Sequence, residues 1–360
     1  MKNVLVISSI PYSNSNRGID ILCSAFKQKG YSVDHYVFPS QKLSSYQGVS
    51  SEQDEGIVQK FASSNVLGYY EKLMWFMPNF LTEVFVKFNQ RANNIDFSIY
   101  DTIVLESGKP IMLIDLIPND KEIIYRQSDS VKLILSHNKY MWELEKRVME
   151  RAKLIFIVRE IFRDYIDKKY WHKTKTIVNG YRVQEEENQL EENNIFNEGS
   201  INAVYLGYTP LDYATLRFIC EEHPNINYHI IGNCLPAKEV ASLEKYSNFK
   251  YYGVLSSNQY LPYIKNADFA IIPYKKWRAT RYIGLNSKYL LFMKYGLPII
   301  SYKVGAVEEF NDIPVMFCDN KNEFSKSISE LIDKGFHVDY NIDFDFYSKQ
   351  GRIKEYFSYI

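Results

Sequence analysis

Lys288 and the basic residues that precede it are the side chains of this sequence best suited to hold an anion. Lys275, Lys276, Arg278, Arg281 and Lys288 share one stretch, 266–301, which reads NADFAIIPYKKWRATRYIGLNSKYLLFMKYGLPIIS. Asn286 or Ser287 reads as an N-cap, Tyr289, Leu290, Phe292 and Met293 form an apolar face at helical spacing, and Gly296 followed by Pro298 stops the helix. Lys288 then falls in the first turn, where the helix dipole opposes a cation by roughly 0.3–1 kcal/mol. A negative group placed between the ammonium and the helix start relieves that conflict, which makes a cradle for a diphosphate. A solvated lysine on a surface helix fits the same residues, and spacing alone does not separate the two accounts.

The second candidate is a carboxylate. Asp129 follows the strand 123–126 by three residues, in a small polar turn with Ser128 and Ser130. Ligands of open α/β sheets bind at the carboxyl ends of strands, so an acid there can face a substrate. A turn aspartate that caps the next helix reads from the same residues. Glu160, after the strand 154–158, is a second strand-end acid, with a helix-start glutamate as its simpler account. Tyr12, Asn16 and Arg17 lie in the first strand-to-helix loop, 9–18, and suit a hydroxyl-rich substrate or a solvated turn. That loop lacks the GxGxxG that wraps a dinucleotide, which argues against an NAD enzyme.

These side chains need elements to hold them. Short strands alternate with helical stretches, the pattern of parallel sheets built from βαβ units. The first half predicts strands at 4–8, 32–37, 102–106, 122–126, 154–158 and 176–178. The second predicts them at 203–206, 227–231, 249–252, 269–272, 298–301 and 315–317. A chain of 360 residues is long for one core and suits two α/β domains. The expected division is 1–182, a linker at 183–200 rich in Glu and Asn, 201–342, and a terminal segment at 343–360.

Several segments of this chain, taken in order, resemble the GT-B glycosyltransferases, whose fold is two Rossmann-like domains with parallel sheets facing a central cleft. They are Ile177-Val178-Asn179-Gly180-Tyr181, Tyr205-Leu206-Gly207, Ile230-Ile231-Gly232-Asn233, Tyr252-Gly253-Val254, and the run from Pro273-Tyr274 through Asn286-Ser287-Lys288 to Ile300. Tyr125-Arg126-Gln127-Ser128-Asp129 is similar to the xanthan-type bacterial glucuronosyltransferases of exopolysaccharide assembly.

The resemblance implies an acceptor-binding first domain, a nucleotide-sugar-binding second domain, and a terminal helix that crosses back to the first. It implies inverting transfer of glucuronic acid or a hexose from a UDP-sugar to a lipid-linked or growing surface glycan, with no metal and no cofactor. Asp129 is similar in place to an aspartate that serves as general base, which is all the chemistry an inverting transfer requires. Glu160 is the next candidate for that role. The donor set it implies is Gly207, Tyr208, Asn233, Tyr274, Arg278, Arg281, Ser287 and Lys288, and Tyr12, Asn16 and Arg17 fall on the acceptor side. One departure stands out: Leu291 replaces the glutamate with which many GT-B enzymes hold the ribose. A UDP-sugar epimerase of the same fold and a non-catalytic sugar-nucleotide-binding protein are the other readings.

Composition narrows the partners. With 43 basic and 43 acidic residues the net charge is zero, so no global field attracts nucleic acid. Cys23, Cys220, Cys234 and Cys318 lack metal-ligand spacing, which suits core packing in a reducing cytoplasm. No stretch reaches the roughly 18 apolar residues of a membrane span. The segment 65–91 is unusually aromatic, including Trp75, Phe76, Phe80, Phe85 and Phe88, with Pro78 expected to kink it into two helices. A core helix is one account. A surface docked on the inner face of the cell membrane, receiving a lipid-linked acceptor, is the other.

Overall fold

A computed structural model describes residues 1–12, 17–38, 56–62, 77–181, 195–310 and 312–360, with backbone only at 278–279. The chain forms two compact units, Met1–Asn179 with Lys349–Ile360, and Gly180–Ser348.

The first unit is built on seven parallel strands in the order β3-β2-β1-β4-β5-β6-β7. These are β1 (Asn3–Ser8), β2 (Ser32–Val37), β3 (Val58–Phe61), β4 (Thr102–Glu106), β5 (Glu122–Gln127), β6 (Leu154–Ile157) and β7 (Thr174–Thr176). The inner strands are buried on both faces, which explains why they read as continuous apolar runs in place of alternating ones. Helices α1 (Gly18–Gln28), α2 (Asn79–Ala92), α3 (Val131–Ile134) and α4 (Lys139–Arg151) connect them. The terminal helix Lys349–Phe357 packs on α1, and its Ile353 and Tyr356 enter the same core as Val4, Leu22 and Phe156.

The first unit departs from expectation at one strand. Strand β3 was not foreseen: its edge position leaves Val58 and Lys60 exposed, so it carries only a weak apolar signal. Pro78 is the N-cap of α2, where its missing N–H costs nothing, and the stretch on the other side of the expected kink lies outside the described residues. Helix α2 buries only Thr82, Val86 and Asn89 and leaves Phe80 (66 % exposed), Leu81, Val84 and Phe88 (52 %) facing outward. The part of the aromatic segment at 65–76 lies outside the described residues, as does 183–194 of the expected linker.

The second unit has six parallel strands in the order β10-β9-β8-β11-β12-β13. They are β8 (Ile201–Leu206), β9 (Ile226–Ile231), β10 (Phe249–Gly253), β11 (Phe269–Ile272), β12 (Ile299–Tyr302) and β13 (Val315–Cys318). Helices α5 (Tyr213–Glu222), α6 (Ala237–Leu243), α7 (Ser257–Asn266), α8 (Ser287–Lys294) and α9 (Lys321–Lys334) cover the sheet. Residues 343–348 belong to this unit, because Tyr181 donates its N–H to the Tyr347 carbonyl and packs edge-on against Phe344. Asp343 caps the turn at Phe346, a local role for an Asp-Phe-Asp run that otherwise spells a metal motif. Among the described residues no helix is long and apolar enough to cross a membrane.

Candidate active site

In the second unit the strand order reverses between β8 and β11, the place where open α/β sheets bind ligands. Helix α8 begins there. Asn286 is its N-cap, with Oδ1 accepting the Lys288 N–H at 3.0 Å, and Gly296 closes it at φ +68° with the Leu297 N–H reaching the Phe292 carbonyl. That is a Schellman stop, and it fixes both ends of an eight-residue helix. Lys288 is in its first turn, half-buried, and among the described residues no carboxylate pairs with it.

The strand ends around Lys288 are pinched together by glycine. Gly207 follows β8 at φ +149° and Gly232 follows β9 at φ +112°; a Cβ on Gly232 would sit 2.0 Å from the Gly207 carbonyl oxygen. Only glycine allows that approach. Tyr208 and Asn233, one residue further on, are exposed. Asn233 lines a cavity of about 350 Å³ with Tyr213, Cys234, Leu235, Lys275 and Trp277. Burial pushes the Cys234 thiol up to about 12 against the pull of Lys288, so it is a packing thiol. Arg281 is exposed, Ser287 is half-buried, and the Arg278 side chain lies outside the described set. Tyr274 is buried and reaches the site through Lys288, to whose ammonium its hydroxyl bonds at 2.8 Å. Leu291 is a core residue, which removes α8 as a source of ribose contacts at that position.

In the first unit, Asp129 stands two residues past β5. Its N–H donates to Ser107 Oγ at 3.1 Å, and Ser107 Oγ bonds Ser128 Oγ at 3.0 Å. The carboxylate itself has no hydrogen-bond partner among the described residues and reaches solvent. Desolvation by the surrounding protein raises its carboxyl above the ordinary aspartate value, opposed by Arg159 and Arg126. Because the group still reaches solvent, this is a local effect of modest size.

Two buried features hold the Asp129 turn. Glu145, on α4, accepts from Tyr125 Oη at 2.7 Å, Gln127 Nε2 at 2.9 Å and the Val131 N–H at 3.4 Å, so one carboxylate grips both sides of the turn. Arg126, 2 % exposed, pairs with Glu106 at 2.7 Å and donates to Asn179 Oδ1 at 2.9 Å and Tyr356 Oη at 3.2 Å. Burial pushes the Glu106 carboxyl up, and Arg126, which stays charged, pulls it down. Gly18 makes room for this network, since a Cβ there would meet Arg126 Nη2 at 1.9 Å.

The remaining first-unit residues separate. Glu160 is tied to Arg163 and Thr176, and the hydrogen bonds from those groups hold its carboxyl below the usual glutamate range against a desolvation that raises it. A carboxylate so engaged is a poor proton acceptor. Tyr12 is corrected: it is 3 % exposed and packs with Val4, Ile19 and Leu22 in the core, its loop pinned by Gln59. Arg17 is paired with Asp20 at 2.7 Å, at the start of α1. Asn16 lies outside the described residues.

With this geometry in hand, comparison with known proteins is informative. Residues 13–158 match the family model of the glucuronosyltransferase GumK N-terminal domain. The chain is 26 % identical over 204 residues to a UDP-glucuronate:glycolipid 2-beta-glucuronosyltransferase of Xanthomonas campestris pv. campestris, covering 56 % of this chain and 48 % of that protein. The chain thus spans about half the length of the curated relative it matches. Among solved structures it is similar to Alr3699/HepE of Anabaena in complex with UDP-glucose, with a TM-score of 0.63, 13 % identity and 100 % of both chains covered. It is also similar to a sucrose-phosphate synthase of Thermosynechococcus elongatus, with a TM-score of 0.63, 14 % identity, and 99 % and 94 % covered. Those likenesses establish the fold. The chain has the GT-B fold and, over residues 13–158, is similar to the N-terminal domain of the glucuronosyltransferase GumK.

Proposed function

We propose that the protein is an inverting glycosyltransferase that moves a sugar, glucuronic acid or a hexose, from a UDP-sugar to a lipid-linked or growing surface glycan. The observation that carries this reading is Lys288: an ammonium without an acidic partner among the described residues, in the first turn of α8 and at the β8–β11 switch point. An anion at that place is stabilised by the ammonium and by the helix dipole together. The glucuronosyl transfer and the UDP-glucose named for similar proteins support the choice of donor.

In this reading the acceptor hydroxyl gives its proton to an Asp129 oxygen as its own oxygen bonds the anomeric carbon. The bond from that carbon to the UDP oxygen breaks, and the charge left on the diphosphate is neutralised by Lys288. Tyr208, Asn233, Arg281 and Ser287 form the rest of the donor wall. The outward apolar face of α2, with Arg91 at its last turn, supports a docking role at an anionic membrane surface where a lipid-linked acceptor would be met.

Mass spectrometry of products formed from a panel of UDP-sugars with lipid-linked acceptor extracts tests the reading. A glycosylated lipid is the expected product. Release of an isomerised UDP-sugar without any acceptor would establish an epimerase instead, and UDP binding without any product would leave a binding protein. Lys288→Ala should weaken UDP binding by about 1.5–3 kcal/mol, the usual loss for a charge-assisted contact.

A further inference from the structure

Two buried phenols hold the Lys288 ammonium. Nζ donates to Tyr205 Oη at 3.0 Å and to Tyr274 Oη at 2.8 Å, and it lies 4.2 and 4.7 Å from the two ring centroids. Both rings are fully buried and meet edge to face at 6.3 Å and 89°. They come from the two strands that flank the switch point, Tyr205 on β8 and Tyr274 just past β11. These strands are laddered only through Ala203 and Val204, so they part where the tyrosines begin. Tyr205 Oη in turn donates to the Thr209 carbonyl at 3.0 Å, which ties the ammonium to the turn that carries Gly207 and Tyr208. A Cβ on Gly207 would lie 2.4 Å from Nζ, so the ammonium fills the space a side chain there would need.

Carboxylates in these places would satisfy the ammonium by cancelling its charge. Phenols satisfy two of its three protons and leave the charge intact, and their ring faces add a cation–π attraction. The third proton stays available to a ligand, and the lysine's rotamer freedom is surrendered before the ligand arrives.

We propose that Tyr205 and Tyr274 are positioning residues that hold Lys288 charged, uncompensated and fixed beside the β8 strand end, so that the site selects a nucleoside diphosphate over the bare nucleoside. This rests on reading the second unit as the nucleotide-sugar site. Calorimetry with UDP and with uridine tests the two ideas separately. Wild-type protein should bind UDP well above uridine. Tyr205→Phe and Tyr274→Phe should each weaken UDP about tenfold and leave uridine unchanged. In a Lys288→Met background the same changes should leave UDP affinity where Lys288→Met alone puts it.

A packing role would move uridine together with UDP, or add to the Lys288→Met loss, and either result overturns the proposal. So does wild-type UDP affinity in both Phe variants. Should Tyr205→Phe unfold, Tyr274→Phe carries the test, since among the described residues the Tyr274 hydroxyl bonds only Lys288. Absence of UDP binding by the wild type would refute the functional reading itself. The positioning claim is then decided by ¹⁵N NMR of the Lys288 ammonium: slow proton exchange in the wild type and fast exchange in the Phe variants supports it, and equal exchange rejects it.

Discussion

A carboxylate is a better proton acceptor when no other donor already occupies it, and among the described residues the Asp129 oxygens are unoccupied while those of Glu160 are bonded to Arg163 and Thr176. Asp129→Asn should therefore lower turnover by about 10²–10⁴-fold with UDP affinity unchanged, measured by product formation and calorimetry on the same preparation. A rate within tenfold of wild type would exclude Asp129 as the base. The direction of its pKa sets the pH profile. The base must be unprotonated to work, and its carboxyl is raised, so kcat/KM should fall on the acid side at a pH above the ordinary aspartate range. At this scale the sequence was legible where chemistry is local. The N-cap Asn286, the first-turn Lys288 and the strand-end Asp129 all follow from short-range spacing. What it hid were partners distant in sequence: Tyr205 for Lys288, Glu145 for the Asp129 turn, and Tyr356 for the Arg126 that precedes it.

At the scale of elements, helix α4 exists as much to present Glu145 as to cover the sheet. Glu145→Ala would strip a buried anion from Tyr125, Gln127 and the Val131 N–H at once. The expected cost is about 1–3 kcal/mol in urea unfolding, the range for leaving buried donors without their acceptor. Loss of under 1 kcal/mol would show that the turn holds itself. Helix α2 makes the opposite case, since its outward Phe80, Val84 and Phe88 contribute little to the described core. Replacing Phe80 and Phe88 by Ser should leave the melting temperature nearly unchanged and should abolish flotation with anionic liposomes. If wild-type protein fails to float, α2 has no membrane role. Strands buried on both faces were readable from composition, with boundaries within a residue or two, because the apolar run is the strand. Edge strand β3 was not, because half of its residues face solvent.

At the scale of the whole molecule, each unit encloses a neutral histidine. Burial lowers the His35 imidazole to about 3 and the His229 imidazole to about 4, with bonds to Ser8 Oγ and to Tyr252 Oη and Asn202 Oδ1. Both lie below the unfolded value near 6.5, so the unfolded chain takes up the proton first. Stability should then fall as pH drops through 6.5, levelling near pH 3 for His35 and near pH 4 for His229. At pH 5 each should cost about 2 kcal/mol relative to pH 7.5. Denaturant melts at the two pH values check this for each transition separately, and unchanged midpoints would contradict it.

The terminal helix carries one more consequence, which concerns time. Lys349–Ile360 completes the first unit, placing Tyr356 on Arg126 and Ile353 in the core, yet Gly180–Ser348 intervenes in the chain. On a ribosome the first unit cannot close when its own strands have emerged. Until the last segment appears, it waits with Arg126 missing one of its hydrogen bonds and part of its core open, while the second unit, continuous in sequence, is free to fold. At about 5–20 residues per second, that interval lasts on the order of ten to thirty seconds. The unit that contains the start of the chain is thus the last to become native, and the window in which it is vulnerable to proteases and aggregation is set by the length of its insert.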